Sequence, residues 1–177
     1  MANHGLGSVL ARILGRTLGR VHRRPAGAAD RAPSPAQVRG AAYPGDFLGT
    51  PEISYEPNPG NGDVVDPGEI VWTWVPFEED HGQGKDRPVL VIGRDGPWLL
   101  ALPLTSKDHD RDAVHEAHAG RYWADIGPGA WDRRGRTSEV RIDRIVRVDP
   151  ATVRREGAVL DEGRFNQVAA AVRRPAP

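Results

Sequence analysis

The stretch GKDRPVLVI at 84–92 leads into the apolar run PVLVIG at 88–93, which is followed closely by WLLALPL at 98–104. Both are short, nearly continuous apolar runs bounded by glycine or charged residues, a pattern typical of buried strands. Further runs of this kind lie at 69–75, 122–126, 138–142 and 145–148. No helical pattern separates them, so a doubly wound parallel sheet, which needs crossover helices, is excluded. The sequence predicts a mainly β fold, in the form of a small and strongly curved barrel or sandwich.

A longer helix is predicted only at the end of the chain. Residues 161–174 (DEGRFNQVAAAVRR) contain an apolar stripe at helical spacing, formed by Phe165, Val168, Ala169 and Val172. Asp161 is the predicted N-cap, and Arg173 and Arg174 suit the C-terminal end of a helix. Residues 150–156 predict no more than a short turn.

Composition divides the 177 residues into three parts, with one folded domain at 67–177. Residues 25–66 are rich in Pro and Gly and poor in apolar residues, which predicts a linker or irregular coil. Residues 1–24 form a basic amphipathic segment, which predicts a poorly ordered or partly helical extension. A membrane-surface or nucleic-acid arm is the alternative interpretation of this segment.

Charge and hydropathy exclude several classes of protein. The chain carries 24 Lys and Arg against 24 Asp and Glu, so it is not a histone-like protein that holds nucleic acid by net charge. The longest uncharged core run, at 96–106, is about half the roughly 20 residues that span a bilayer. Arginines interrupt the apolar stretch where a signal peptide would need an unbroken one. The chain has no cysteine and therefore no disulfide, which fits a cytoplasmic protein. We expect no membrane partner.

The polar loop HGQGKD at 81–86 leads into Arg87 at the start of a buried strand. A rigid strand fixes the direction of a guanidinium, and this arrangement suits a contact with a phosphate or a carboxylate. The alternative is a structural ion pair of Arg87 with Asp86 or Glu79. Spacing alone does not decide between these interpretations.

Polar residues also follow the next apolar run. Thr105, Ser106 and Lys107 place two hydroxyls and an ammonium where a buried strand ends. Such a strand end can donate hydrogen bonds to a bound anion. The alternative is a Ser/Thr turn that simply ends the strand.

A late strand carries alternating charges. Within EVRID at 139–143, the side chains of Glu139, Arg141 and Asp143 fall on one face of an extended chain. They form either an acid–base pair or a cross-strand ion pair on a solvated sheet face.

The segment DHDRDAVHEAH at 108–118 holds a dense group of potential metal ligands. His115 and His118, with Asp110 or Asp112 nearby, have a spacing that a metal site can use. The string is HEAH rather than HExxH, so the metalloprotease arrangement is absent. We interpret the segment as a charged insertion and expect neither a metal nor another cofactor.

Four blocks, taken in order, resemble the MazF/PemK (Kid-like) toxins of bacterial toxin–antitoxin pairs: GEIVW at 68–72, GKDRPVLVI at 84–92, ALPLTS at 101–106 and EVRIDRIVRVDP at 139–150. The resemblance spans about residues 67–174. It implies an SH3-like β-barrel of the CcdB/Kid/MazF type with a C-terminal helix, assembled as a homodimer. It also implies a metal-independent endoribonuclease that cuts single-stranded RNA at a short sequence and is inhibited by a cognate antitoxin.

The resemblance also assigns roles to particular residues. Arg87 and Thr105 match the pair at the scissile phosphate, and Arg141 with Asp143 matches an Arg-x-Asp on a late strand. The implied reaction is attack of a 2′-hydroxyl on its own phosphate, with Asp143 as base and Arg87 as electrostatic stabiliser. Thr105 then holds a phosphate oxygen, and Arg141 is a second stabiliser or proton donor. The residues predicted to bind substrate are His81, Gln83, Lys85, Ser106 and Lys107.

Two features depart from the family pattern. Residues 61–177 carry seventeen basic against twenty acidic residues, so any RNA groove must be locally basic. Residues 107–137 form a long insertion, in which Trp123 and Trp131 either stack on bases or form a small satellite core. The same insertion offers three arginines to a nucleic-acid strand, at 133, 134 and 136.

The fold that the resemblance implies is compatible with two other functions. One is a non-catalytic barrel that binds RNA, an antitoxin-like peptide or another protein. The other is a toxin that poisons DNA gyrase, as the CcdB relatives do. The presence of Arg87 with Thr105 favours the ribonuclease, because a gyrase poison does not need a set of residues that faces a phosphate.

Overall fold

A computed structural model of the chain describes residues 43–60, 62, 64–106 and 120–174. The predicted N-terminal segment at 1–24 lies outside the described residues. So do residues 25–42 of the predicted linker, Lys107, and the group of His and Asp residues at 108–118.

The described residues form one antiparallel sheet followed by a helix. The strands are β1 (Glu69–Pro76), β2 (Gly84–Asp95), β3 (Trp98–Thr105), β4 (Trp123–Gly127), β5 (Ser138–Arg141), β6 (Val146–Val148) and β7 (Arg154–Val159). A 3-10 turn at Pro150–Thr152 precedes β7, and the helix α1 (Glu162–Val172) ends the fold. The strand order is β4-β5-β3-β2-β1-β7, with β6 paired to β3.

Strand β3 is hydrogen-bonded along both edges. One edge pairs with β2, where Leu90 lies opposite Leu102. The other edge pairs first with β6, where Leu100 lies opposite Arg147, and then with β5, where Leu104 lies opposite Val140. This arrangement curls the sheet into a half-barrel. The predicted mainly β fold, a small barrel with a C-terminal helix, is confirmed.

Both faces of the central strands are buried, which explains why their sequences are nearly continuous in apolar residues rather than alternating. One face packs against α1 and contributes Ile70, Leu90, Leu102, Leu104 and Val140 to a core with Phe165 and Val168. The other face forms a second cluster that includes Val71, Val89, Val91, Leu99 and Val146.

The helix begins at its predicted cap. The Asp161 carboxylate accepts a hydrogen bond of 3.0 Å from the backbone N–H of Arg164, as an N-cap residue does. The Arg164 guanidinium in turn donates to the carbonyl oxygen of Ile126 at 2.8 Å. This bond ties the first turn of α1 to β4.

Two element boundaries differ from the sequence prediction. Strand β2 begins at Gly84, which lies opposite Pro76, so Arg87 is the fourth residue of a strand rather than its first. The prediction of only a turn at 150–156 was wrong from Arg154 onward, where β7 begins. Strand β7 is an edge strand with charged residues at its start, so it lacks the apolar run that marks the central strands.

The described part of the predicted linker packs against the barrel. Residues 43–60 are irregular, but Phe47 pairs with Ile145 through a backbone hydrogen bond of 2.8 Å. The Tyr55 hydroxyl donates to the Leu160 carbonyl at 2.9 Å, and its ring lies 5.0 Å from that of Phe165. The boundary at residue 67 stays a prediction, and we propose that the folded domain extends back to about residue 43.

Gly93 shows how closely this irregular segment approaches the sheet. A Cβ atom at Gly93 would lie 2.2 Å from the carbonyl oxygen of Glu52, a distance that real Cβ atoms do not reach. A residue with a side chain at Gly93 would therefore push residue 52 off the sheet.

Replacing Tyr55 tests whether this packing contributes to stability. We expect Tyr55→Phe, which loses one hydrogen bond, to lower the free energy of unfolding by about 1 kcal/mol. Tyr55→Ala also loses the ring contact and should cost about 2 to 3 kcal/mol. Urea unfolding measures both values, with the exposed Leu48→Ala as a control that changes stability by less than about 0.5 kcal/mol. A similarly small change in both Tyr55 variants would contradict the packing.

The Asp46 carboxylate links the same segment to the sheet and gives a pH-dependent test. Burial raises its pKa, but hydrogen bonds from Arg144 and Tyr43 outweigh burial, so the pKa is lowered. A lowered folded-state pKa contributes stability that is complete above the unfolded pKa, about 3.9, and is lost as the pH falls through the folded pKa. We expect Asp46→Asn to be less stable than the wild type at pH 7 and closer to it at pH 3. An equal difference at both pH values in urea unfolding would contradict this account.

Candidate functional site

Two clefts meet where β2, β3 and β5 come together. Lys85, Arg87 and Thr105 line both clefts. The larger cleft has a volume of about 640 Å³, and its other lining residues include Trp72, Ser106, Arg133, Arg134, Arg136 and Arg154. The smaller cleft has a volume of about 300 Å³, and its other lining residues include Glu78, Arg121, Trp123, Arg141 and Arg144.

Strand register brings Arg87 and Thr105 to the same place. Val89 of β2 lies opposite Pro103 of β3, so two residues further along the strands Arg87 reaches Thr105. Thr105 itself lies opposite Glu139 of β5. Residues directly opposite one another share a face of an antiparallel sheet, so these side chains project from one side.

The Arg87 guanidinium is half-buried and has no carboxylate partner among the described residues. Its Nε atom is buried without a hydrogen-bond partner. Burial lowers the pKa of Arg87, and the nearby charges of Arg144 and Arg141 lower it further. Because the field of the other arginines already disfavours this charge, an anion bound beside Arg87 would be strongly stabilised.

The structural alternative for Arg87 does not hold. Asp86, its neighbour in sequence, forms an ion pair with Arg154 instead. No ion pair joins Glu79 to Arg87 in the described part of the chain. Arg87 is therefore without a carboxylate partner among the described residues, and its contact with an anion stays a prediction.

Arg141 lies between two carboxylates. Its Nε and Nη2 atoms donate to Asp143 at 3.0 and 2.7 Å, and its Nη1 and Nη2 atoms donate to Glu78 at 2.8 and 3.3 Å. The side chain of Arg141 is only 10% exposed, whereas that of Glu78 is 50% exposed. Glu78 can therefore move away from Arg141 with less rearrangement than Asp143, whose side chain is 16% exposed.

The same contacts appear in the pKa values. Burial lowers the pKa of Arg141, but its hydrogen bonds to Asp143 and Glu78 outweigh burial and raise it. The hydrogen bond from Arg141 lowers the pKa of Glu78, against the opposing effect of burial. Arg141 therefore stays protonated, and the carboxylates of Glu78 and Asp143 balance its positive charge in this structure.

Asp143 does not lie on the strand face that the sequence predicts for it. Strand β5 ends at Arg141, and residues 142–143 form a bend before β6 begins. The bend returns the Asp143 carboxylate to Arg141, and its Oδ1 also accepts a 2.7 Å hydrogen bond from the Tyr122 N–H. Arg141 and Asp143 therefore form a pair, but a bend rather than a straight strand brings them together. The chain bends here because β5 and β6 both pair with β3.

Sequence reasoning missed the role of Arg144. The side chain is buried, donates from Nη1 to the Pro76 carbonyl at 3.0 Å and pairs with Asp46 at 2.8 Å. The bend turns Arg144 toward the smaller cleft, where its charge acts on Arg87. In the sequence, the only indication of this role is that Arg144 directly follows Asp143.

The predicted substrate-binding residues separate into two groups. Lys85 and Ser106 line the larger cleft. His81 and Gln83 line neither cleft and lie near the tip of the β1–β2 loop. The His81 ring packs edge-on against Tyr43, 4.9 Å between centroids, and Gln83 donates to Asp80 at 2.7 Å.

The insertion contributes to the clefts through its arginines more than through its tryptophans. Trp131 is buried in the main core, and its indole N–H donates to Ser138 at 3.0 Å. Trp131 is therefore a residue of the main core rather than of a small satellite core. Trp123 is half-buried and lines the smaller cleft, where its ring can meet a bound molecule.

Within residues 43–60, 62, 64–106 and 120–174, no group of three or more His, Cys, Asp or Glu side chains is arranged to hold a metal ion. In the same ranges, no helix is long and apolar enough to cross a membrane.

Comparison with known proteins gives one family match. The model of the PemK-like, MazF-like toxins of type II toxin–antitoxin systems matches residues 66–174. One similar solved structure is that of MazE-MazF (Form-II) from Deinococcus radiodurans, with 19% identity, 60% of this chain and 90% of that chain covered, and a TM-score of 0.42. A structural similarity this low does not support an inference about function. No curated protein matches the chain.

The family match covers the whole described barrel from the residue before Pro67 to the end of the helix, which is more than half of the chain. The chain therefore belongs to the family of PemK-like, MazF-like toxins of type II toxin–antitoxin systems.

Proposed function

We propose that the chain is a metal-independent, sequence-specific endoribonuclease that cleaves single-stranded RNA. Membership of a toxin family supports this function. The observation that carries it is the Arg87 guanidinium, half-buried beside Thr105 with no carboxylate partner among the described residues. A cation that the protein leaves unpaired in a cleft is suited to a phosphate, which brings the missing charge.

The proposed reaction transfers a phosphate from the 5′-oxygen of one nucleotide to the 2′-oxygen of the preceding one. Asp143 accepts the 2′-hydroxyl proton while the 2′-oxygen bonds to phosphorus. Arg87 and the Thr105 hydroxyl stabilise the charge that develops on the non-bridging oxygens. The bond to the 5′-oxygen breaks, that oxygen takes a proton from solvent, and the products are a 2′,3′-cyclic phosphate and a free 5′-hydroxyl.

Arg141 serves as a second stabiliser in this mechanism. Guanidinium groups rarely release a proton, so a role as proton donor is weaker chemistry than electrostatic stabilisation. Arg141 must first exchange its contact with Glu78 for one with the phosphate. We infer that bound RNA displaces Glu78, because Glu78 is the more exposed of the two carboxylates on Arg141.

Family membership also supports two partners. A cognate antitoxin would inhibit the enzyme by covering the clefts. A second copy of the chain would form a homodimer.

A second candidate function is a non-catalytic barrel that binds RNA. One observation favours it: Arg141 is held by five hydrogen bonds of 2.7 to 3.3 Å to Asp143 and Glu78. If Glu78 stays in place when RNA binds, Arg141 remains neutralised by its two carboxylates and cannot stabilise the phosphate. Binding of RNA without cleavage would identify this case.

Substitution of Arg87 tests the ribonuclease directly. We expect wild-type protein with EDTA present to cut a sequence-diverse single-stranded RNA at a short motif, leaving 2′,3′-cyclic phosphate ends. Arg87→Ala should lower kcat/KM about 100- to 1,000-fold, the cost of removing one preorganised stabiliser. Arg94→Ala is the matched control, because Arg94 pairs with Asp66 away from both clefts. Loss of cleavage with EDTA, or equal activity in wild type and Arg87→Ala, would contradict the proposal.

The two carboxylates on Arg141 can be separated by amide substitutions. Asp143→Asn removes the proposed base and should lower kcat about 100- to 10,000-fold. Glu78→Gln weakens only the contact that RNA must displace, so KM should fall several-fold without a large loss of kcat. Steady-state kinetics on one defined oligonucleotide measures both. The reverse pattern, with the large loss in Glu78→Gln, would assign the base to Glu78.

A further inference from the structure

A second guanidinium in the larger cleft shares the unusual feature of Arg87. The Nε atom of Arg154 is also buried without a hydrogen-bond partner among the described residues, although an Nη atom of the same side chain donates to Asp86. A buried N–H that forms no hydrogen bond costs free energy that a suitable acceptor would recover. Arg154 stands on β7 opposite Trp72 of β1, at the edge of the sheet.

The larger cleft is strongly basic although the chain is neutral. Among the described residues that line it, six are basic and only Asp86 and Asp132 are acidic. Both acids are already engaged, Asp86 by Arg154 and Asp132 by Arg136 at 2.7 Å. A cleft with such an excess of one sign attracts a ligand of the opposite charge.

We propose that Arg154 binds a second backbone phosphate of the RNA strand, next to the phosphate that Arg87 holds. This inference rests on the proposed function. Arg87 and Arg154 lie on the two strands that flank β1, so their backbones are about 10 Å apart, twice the spacing of neighbouring strands. Because a single strand carries one phosphate per nucleotide, a strand that passes Arg87 presents another phosphate to Arg154.

Trp72 distinguishes this ligand from an acidic peptide. It lies opposite Pro88 on β2 and opposite Arg154 on β7, and its half-buried side chain lines the same cleft as both guanidinium groups. Bases stack on such aromatic side chains, whereas the carboxylates of a peptide gain nothing from them. A cleft that holds two such cations and an aromatic ring suits the phosphates and bases of a single strand.

Two substitutions at one ion pair separate binding from structure. Arg154→Gln removes the phosphate contact, whereas Asp86→Asn releases Arg154 from its partner and removes a negative charge from the cleft. If the pair is only structural, both substitutions break the same contact and act alike. If Arg154 binds phosphate, they change affinity in opposite directions.

The experiment is fluorescence anisotropy with a 2′-O-methyl single-stranded oligonucleotide, which carries the phosphates of RNA but lacks the attacking hydroxyl. We expect Arg154→Gln to weaken binding about tenfold at low salt. The slope of log Kd against log salt concentration should fall by about 0.7, the value for one phosphate contact on a single strand. Asp86→Asn should bind more tightly than the wild type. Arg174→Gln, an exposed arginine outside both clefts, should match the wild type.

Each other outcome has a distinct meaning. Equal affinity and salt slope in wild type and Arg154→Gln would overturn the subsite, whether or not the protein cleaves RNA. A weaker affinity in both Arg154→Gln and Asp86→Asn would also overturn it, in favour of a structural ion pair. Loss of binding to poly-glutamate in Arg154→Gln, with oligonucleotide binding unchanged, would assign the cleft to an acidic peptide. Absence of RNA cleavage, with Arg154-dependent oligonucleotide binding retained, would contradict only the proposed enzyme.

Discussion

The pairing of β3 along both edges is the constraint on which the rest of the structure depends. One edge pairs with β2 from Trp98 to Pro103, whereas the other is shared by β6 and β5 in turn, so the chain must bend at residues 142–143, after β5. That bend returns Asp143 to Arg141 and turns Arg144 into the smaller cleft. The register with β2 sets Arg87 beside the end of β3. A sheet paired in any other way would not bring these charged groups together.

Arginine is abundant in this chain, and the structure separates its arginines by whether they have an acidic partner. Arg141, Arg144 and Arg147 form ion pairs with carboxylates at 2.7 to 2.8 Å. Such pairs offset the cost of taking charges out of water. Arg87 has no such pair among the described residues, and burial together with neighbouring positive charge lowers its pKa. This difference is the basis of our proposal that a bound ligand completes the charge balance at Arg87.

The parts of the fold that could be predicted from the sequence are those whose signal is local. Burial on both faces makes β2 and β3 continuously apolar, and Asp161 caps α1 by a contact three residues away. The missed features depend on distant partners: Arg154 pairs with Asp86 across 68 positions, and Arg144 pairs with Asp46 across 98. The spacing of residues along the chain does not indicate contacts between positions so far apart. For the same reason the sequence left Arg87 undecided between an anion contact and an ion pair.

The central claim is that Arg87, which has no carboxylate partner among the described residues, holds a phosphate of RNA. Nitrogen-15 NMR of the arginine Nε–H groups tests it most directly, with the Arg87 resonance assigned from its loss in Arg87→Lys. On addition of a 2′-O-methyl single-stranded oligonucleotide, the account predicts a large shift of the Arg87 resonance and slower exchange of its Nε proton with water. An oligonucleotide that binds and leaves the Arg87 resonance unchanged would contradict the account.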